Sequence, residues 1–219
     1  FVKETLLSVK NQISPSDEVI VIDDGSTDNS FKIINHFRDL DGWKIIQTTN
    51  QGLGFTRNLG RSLAKSEYIY FLDSDDVIKD NLIDQIRKII LQYNNPDMVL
   101  FSGESFDDNQ TNNKKPNLKF TLQGEFFRDG KLITKLTKKK EAFPQVSRYI
   151  TKVKLWSENK LDYPKGIAED DAVFFPLLAL SESTVILPET YYRYRVGRPD
   201  SITSRAVSYT HLTLPTTPY

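Results

Sequence analysis

The sequence predicts an α/β fold, a mostly parallel sheet flanked by helices. Three observations carry that expectation. Apolar runs of strand length alternate with segments of helical period across the first hundred residues, and a strand, helix, strand rhythm favours parallel pairing. Two of the runs, Glu18–Ile22 and Glu67–Leu72, stop abruptly in acids, Asp23-Asp24 and Asp73-Ser74-Asp75-Asp76. Turn-forming residues, Gly25-Ser26-Thr27-Asp28 and Gly52-Leu53-Gly54, then lead into the next helical segments.

Taken in order, Phe1–Gln12 places Val2, Leu6 and Val9 on one helical face, so the chain opens in a helix. Val19–Ile22 reads as a buried strand. Phe31, Ile33, Ile34 and Phe37 follow at helical spacing, and Trp43–Gln47 reads as the next strand. A glycine turn then enters a helix with Leu59 and Leu63 on one face. It is not a dinucleotide fingerprint, because Arg57 stands where a third glycine would be needed. Tyr68–Leu72 is the acid-ended strand, Asn81–Tyr93 a strongly periodic helix, and Met98–Phe101 a further strand. Asp107–Asn117 is polar and reads as a loop, its Asp107-Asp108 pair solvated. Leu118–Lys140 suggests small strands and a helix covering the sheet, and Ile150–Asn159 looks helical. Glu169-Asp170-Asp171 precede an apolar helical run, Ala172–Leu180, interrupted by Pro176. Thr184–Arg198 reads as a short strand, a turn at Pro188 and a second strand bearing Tyr191, Tyr192, Arg193, Tyr194, Arg195 and Arg198.

Length and composition narrow the classes. A chain of 219 residues can bury one sizeable core. Its formal net charge is zero, which argues against charge-driven nucleic-acid binding. It has no cysteine, hence no disulfide framework and no thiolate metal site. No apolar run approaches the ~20 residues that span a bilayer. Met98 is the only methionine, so the chain reads as an excerpt. Ala206–Tyr219 has no Asp, Glu, Lys or Arg, although charged residues make up 26% of the whole. That stretch is set aside as a non-native tail, leaving one domain over 1–205: a donor half, about 1–101, and an acceptor-side half, about 102–205.

Carboxylates crowded at a strand's carboxyl end are costly unless a cation, a metal or solvent compensates them, and in open α/β sheets that edge is where ligands bind. The acids around 73–76 therefore point to a divalent metal and a phosphate. Glu169-Asp170-Asp171 has an ordinary explanation as well, since acids in a first helical turn oppose the helix dipole.

Four blocks in order, Val21–Ser30, Asn50-Gln51-Gly52-Leu53 with Arg57-Asn58, Phe71–Asp76, and Glu169-Asp170-Asp171, make the chain resemble a family 2 glycosyltransferase of the GT-A (Rossmann-like) fold. The tract Asn159–Asp170 is similar to members that build bacterial cell-envelope polysaccharides. The resemblance implies transfer of a sugar from a nucleotide diphosphate sugar, most often a UDP-sugar, to a hydroxyl of a glycan or lipid-linked acceptor, with inversion. It implies a metal, Mg²⁺ or Mn²⁺, on Asp75, with Asp73 at the metal or the ribose and Asp76 in reserve. The base comes from the Glu169-Asp170-Asp171 motif, with Asp170 and Asp171 both open. Nucleotide contacts fall to Asp23 or Asp24, to Arg57 near the nucleobase, to Asp73, and to Arg195 and Arg198 (with Arg193) at the diphosphate. The implied location is cytoplasmic; with a lipid-linked acceptor, Lys135, Lys138, Lys139 and Lys140 would give peripheral membrane contact, against the ordinary reading of these lysines as a solvated helix face. Such a fold also has a first strand that precedes the opening helix and lies mid-sheet; without it two strands lack a partner, so the isolated chain is expected to be unstable. Two rivals stand beside this reading: a haloacid-dehalogenase-like magnesium phosphotransferase, and a nucleotide-sugar-binding relative without turnover.

Overall fold

The computed structural model describes residues 1–107, 118–128, 131–166 and 169–197. Its first unit is the predicted strand, helix, strand. β1 (Val19–Asp24) lies parallel to β2 (Trp43–Thr48), in register from Val19 opposite Trp43 to Asp24 opposite Thr48. The chain turns out of β1 at Gly25, whose φ of +74° and whose approach to Asn50 leave no room for a Cβ. Asp28 then accepts the Ser30 amide at 2.8 Å as α2 (Ser30–Asn35) begins, and the Ser30 hydroxyl together with that amide holds its carboxyl below the usual range.

α1 (Val2–Lys10) and α2 close a small core over these strands, with Val2, Leu6, Ile34, Phe37 and Trp43 buried and the Phe37 and Trp43 rings stacked at 5.2 Å. α3 (Leu53–Leu63) follows and packs on β1.

The second sheet is built on β5 (Met98–Phe106), whose Met98, Val99, Leu100 and Phe101 are almost wholly buried. Its order is β3 (Tyr68–Tyr70), β7 (Tyr149–Lys152), β5, β8 (Ser183–Arg195), β4 (Val77–Ile78), with β6 (Gly124–Phe127) also on β8. The long β5–β8 pairing is parallel, and the shorter pairings around it are antiparallel. α4 (Leu82–Gln92) buries Leu82 and Ile86 in the core shared with β5, while α6 (Val153–Glu158) and α7 (Glu169–Leu180) cover the other side around Trp156, Phe174 and Leu177. α5 (Lys131–Lys138) buries Leu132 and Leu136 and packs on α7. No helix among the described residues is long and apolar enough to cross a membrane.

Several local expectations need correction. Ile150–Lys152 is strand, not helix: β-branched Ile150 and Thr151 are buried between β3 and β5, and the helix starts only at Val153. Pro188 does not break the last strand. β8 runs through it, and the register against β5 slips between Phe101 and Gly103, so Pro188 falls where no ladder bond is required. β4 was not predicted. α7 begins at Glu169 and passes through Pro176, whose missing amide is tolerated in a helix buried along Val173, Phe174, Leu177 and Leu178. The Asp108–Asn117 part of the polar loop and the tail 206–219 lie outside the described residues.

β1 pairs only with β2, and β3 only with β7, among the described residues. Each therefore has one edge without a backbone partner among the described residues. α1 spans the gap: Thr5 Oγ1 donates to the Ser74 carbonyl (3.0 Å), Ser8 Oγ accepts the Ile78 amide (3.3 Å), and Gln12 donates to the Lys79 carbonyl (2.9 Å). Arg87 on α4 adds an ion pair to Asp17. Unpaired edges open more readily than paired interiors. Hydrogen exchange should therefore find the amides of β1 and β3 exchanging at least about tenfold faster than those of Met98–Phe101. Equal protection of β1, β3 and β5 would count against the open edges.

Candidate active site

The acidic turn after β3 is held from behind. Asp76 is fully buried and accepts the Tyr192 hydroxyl on Oδ2 (2.5 Å) and the Arg195 amide on Oδ1 (2.8 Å). Burial, reinforced by the charge of Asp75, pushes its carboxyl up to about 7. Arg195 donates Nε–H to the Asp75 carbonyl (2.7 Å) and pairs through Nη2 with Glu4 on α1, with only 1% of its side chain exposed. The sequence expects Arg195 at a diphosphate and Asp76 as a spare metal ligand. Both are instead committed to tying the turn to β8, and Asp73 and Asp75 are left toward the open side, Asp73 with 35% of its side chain exposed.

In front of the turn stands Arg57, on α3. Its Nη2 donates to Asp73 Oδ1 at 2.8 Å, and its Nη1 donates to Glu169 Oε1 at 3.2 Å and, more closely, to Asp170 Oδ1. One guanidinium, 6% exposed, thus joins the strand-end acids to the acids that open α7. Burial opposes its charge, but Asp73 and Asp170 outweigh that and raise its affinity for its proton. Asp170 is also approached by the Val146 amide at Oδ2 (3.4 Å), and burial, opposed by Arg57, pushes its carboxyl up to about 6. Asp171 is exposed, so of the two open candidates only Asp170 enters the cluster.

Behind Asp170, the Tyr149 and Tyr163 hydroxyls are buried against each other, and burial raises both. The 3₁₀ turn Val146–Arg148 touches both motifs, since Ser147 Oγ accepts the Asp73 amide (3.3 Å).

Arg57 reaches this position because one face of α3 is docked on the loop before α7. Gly54 lies so close that a Cβ would come within 2.4 Å of the Pro164 carbonyl oxygen. Asn58 exchanges two hydrogen bonds with the Tyr163 backbone, both 2.9 Å, and Arg61 pairs with Asp162.

At the β1 end, Asp24 spends both oxygens locally, Oδ1 on Thr48 (3.1 Å) and the Gln51 amide (2.9 Å), Oδ2 on the Gly52 amide (2.8 Å). It fastens the glycine turn. Asp23 is buried and accepts one bond from Gln47 (3.2 Å). Arg193 pairs with Glu104 at 3.5 Å, and Arg198 lies outside the described residues.

Among the described residues no three His, Cys, Asp or Glu side chains converge as a metal cage. Asp73 and Asp75 nonetheless fit a hard divalent ion, which takes one or two carboxylates and completes its shell with water and phosphate oxygens. The upward push on Asp76 by both neighbours reflects an excess of negative charge at this turn.

Residues 1–154 match the family model described as glycosyl transferase family 2. The chain belongs to that family. A Haemophilus influenzae protein described as an uncharacterized glycosyltransferase is 37% identical over 138 residues, 58% of this chain and 54% of that protein. The poly(ribitol-phosphate) beta-glucosyltransferase of Bacillus spizizenii is 30% identical over 204 residues, 90% of this chain but 30% of that protein. Among solved structures, Staphylococcus aureus TarS 1–349 in complex with UDP-GlcNAc superposes with a TM-score of 0.79 at 23% identity, covering 94% of this chain and 58% of that one. The chain therefore has the GT-A fold, and it spans about half or less of the length of these curated relatives. Family membership leaves the haloacid-dehalogenase alternative without support.

Sequence reasoning found the acids of this family 2 domain but missed Glu4, Ser147, Tyr163 and Tyr192, which place them. The Tyr and Arg alternation of β8 was the available signal, read toward a ligand when Tyr192 and Arg195 turn to Asp76. A carboxyl whose folded value lies near 7 against an ordinary 3.8 binds its proton more tightly when folded. This group's stabilising contribution is therefore greatest at low pH and is lost as pH rises from about 4 through about 7. Asp76→Asn should flatten the dependence of Tm on pH over that window; an unchanged slope would mean that Asp76 titrates normally.

Proposed function

We propose that the domain catalyses inverting transfer of a hexosyl or N-acetylhexosaminyl group from a nucleotide diphosphate sugar, a UDP-sugar, to an acceptor hydroxyl in bacterial surface polysaccharide synthesis. The observation that carries this reading is the convergence of Asp73, Glu169 and Asp170 on Arg57, which sets a diphosphate-side acid beside a base candidate. The family, a relative described as a poly(ribitol-phosphate) glucosyltransferase, and the fold of TarS support the reaction class.

In this reading Asp170 Oδ2 takes the proton of the acceptor hydroxyl as its oxygen attacks the anomeric carbon from the face opposite the phosphate. The bond from that carbon to the phosphate oxygen breaks, its electron pair leaves with the nucleoside diphosphate, and the configuration inverts. Asp75, with Asp73, would hold Mg²⁺ or Mn²⁺, which as a Lewis acid stabilises the charge gathering on the leaving diphosphate. Asp23, in a buried position at the end of β1, is the better placed of the two β1 acids to accept from the nucleobase, because Asp24 is spent on the glycine turn. The acceptor is a glycan or a lipid-linked glycan; for the latter, Lys135, Lys138, Lys139 and Lys140 supply the membrane contact, on the cytoplasmic side.

A carboxylate base works only when ionised, so kcat/KM should fall as pH drops through about 6. A donor screen reading nucleoside diphosphate release, with and without Mn²⁺, should find turnover that Asp75→Ala abolishes. Asp170→Asn should lose about 10²–10⁴-fold in kcat while Asp171→Asn stays within about threefold. Loss in Asp171→Asn with activity kept in Asp170→Asn would move the base by one residue. UDP binding with neither transfer nor donor hydrolysis would identify a non-catalytic relative.

A further inference from the structure

Among the described residues Arg57 is the one cation that touches both acid motifs, and its surroundings do not fit a contact with a nucleobase. Its guanidinium faces the acceptor-side half: Glu169 and Asp170 on Nη1, Asp73 on Nη2, and the Tyr163 ring 5.3 Å from its central carbon. The helix that carries it cannot slide away, because Gly54 abuts the Pro164 carbonyl and Asn58 holds the Tyr163 backbone in both directions. We propose that Arg57 is the positioning residue for the base: it holds Asp170 by Oδ1, fixes that carboxylate relative to Asp73, and leaves Oδ2 as the oxygen that receives the acceptor's proton. This rests on the reading of Asp170 as the base.

The geometry gives each part of that role a cause. An arginine presents a rigid planar fork, so two carboxylates bound to its two terminal nitrogens are held at a set separation, which the single point charge of a lysine does not impose. Asp170 is approached at Oδ1 by a full charge and at Oδ2 only by a long amide contact from Val146 (3.4 Å), so Oδ1 is the engaged oxygen and Oδ2 the available one. Around Asp170 the charged and titratable groups are Arg57 from α3, Asp73 from the strand end, Glu169 on its own helix, Tyr149 on β7 and Tyr163 on the loop. Arg57 is the only cation in that set. Removing it leaves the base facing two carboxylates and apolar walls, which disfavours its ionised form.

The test is a series of Arg57→Lys and Arg57→Gln, measured for the pH profile of kcat/KM and, separately, for UDP affinity by calorimetry with Mn²⁺. In Arg57→Gln the acid limb should move to higher pH by about 1–3 units, the span over which a nearby opposite charge acts, while the Kd for UDP stays within about threefold. Arg57→Lys should fall between Gln and wild type. An acid limb left where it was in both variants overturns the proposal, and a tenfold or greater loss of UDP affinity with that unmoved limb assigns Arg57 to the nucleotide instead. If Arg57→Gln does not fold, Arg57→Lys decides by the same limb. Failure of the underlying reading is seen elsewhere, as normal turnover in Asp170→Asn.

Discussion

Negative charge gathered at one end of a sheet has to be compensated from inside the protein before any ligand arrives. Here two arginines share that work from opposite sides. Arg195 stands behind the turn of Asp73 to Asp76 and ties its backbone to β8 and α1, whereas Arg57 stands in front and binds the carboxylates directly. Between them they separate the acids that are buried supports from those that stay partly exposed. Asp76 and Asp24 are supports, since every strong donor near them is part of the fold. Asp73, Asp75 and Asp170 keep access to the open side.

The acids themselves were legible because their cost is local: a strand of apolar residues that ends in carboxylates is unusual enough to imply a ligand. β1, β2 and the helices α1 and α4 were legible for the same reason, since period and length decide them within a short window. What escaped was decided by distant neighbours. Ile150–Lys152 is strand because β3 and β5 flank it, and nothing within the segment itself separates that from the helix that follows at Val153. Pro188 looked like a turn because its tolerance depends on a register slip against Ser102, more than eighty residues away in sequence. Arg57 sits beside the glycine turn in sequence, so the resemblance sent it to the nucleotide; its carboxylate partners at 169 and 170 come from the start of α7, distant in sequence.

The β1–β2 sheet is joined to the larger sheet through specific helix contacts rather than strand pairing. α1 carries short polar side chains, Thr5, Ser8 and Gln12, that reach backbone groups at Ser74, Ile78 and Lys79, where the gap between the sheets would otherwise leave them to solvent. α3 does the same against Tyr163 and Pro164 in the loop before α7, with Gly54 and Asn58. Both helices thereby link the β1–β2 sheet to the site without a continuous strand ladder, which is why the acids keep their relative placement while β1 and β3 present open edges.

The 3₁₀ turn Val146–Arg148 has a consequence for anyone recombining this domain with its relatives. Three successive residues serve three different neighbours: the Val146 amide reaches Asp170, the Ser147 hydroxyl and carbonyl receive the Asp73 amide and the Tyr70 hydroxyl, and Arg148 is wedged between the Phe120 and Phe143 rings. A chimera with a crossover anywhere between Asp73 and Val146 separates Asp73 and Tyr70 from the turn that was shaped to them. The turn and the acidic strand end form one heritable unit, although some seventy residues lie between them, and a crossover that keeps both from the same parent preserves these contacts.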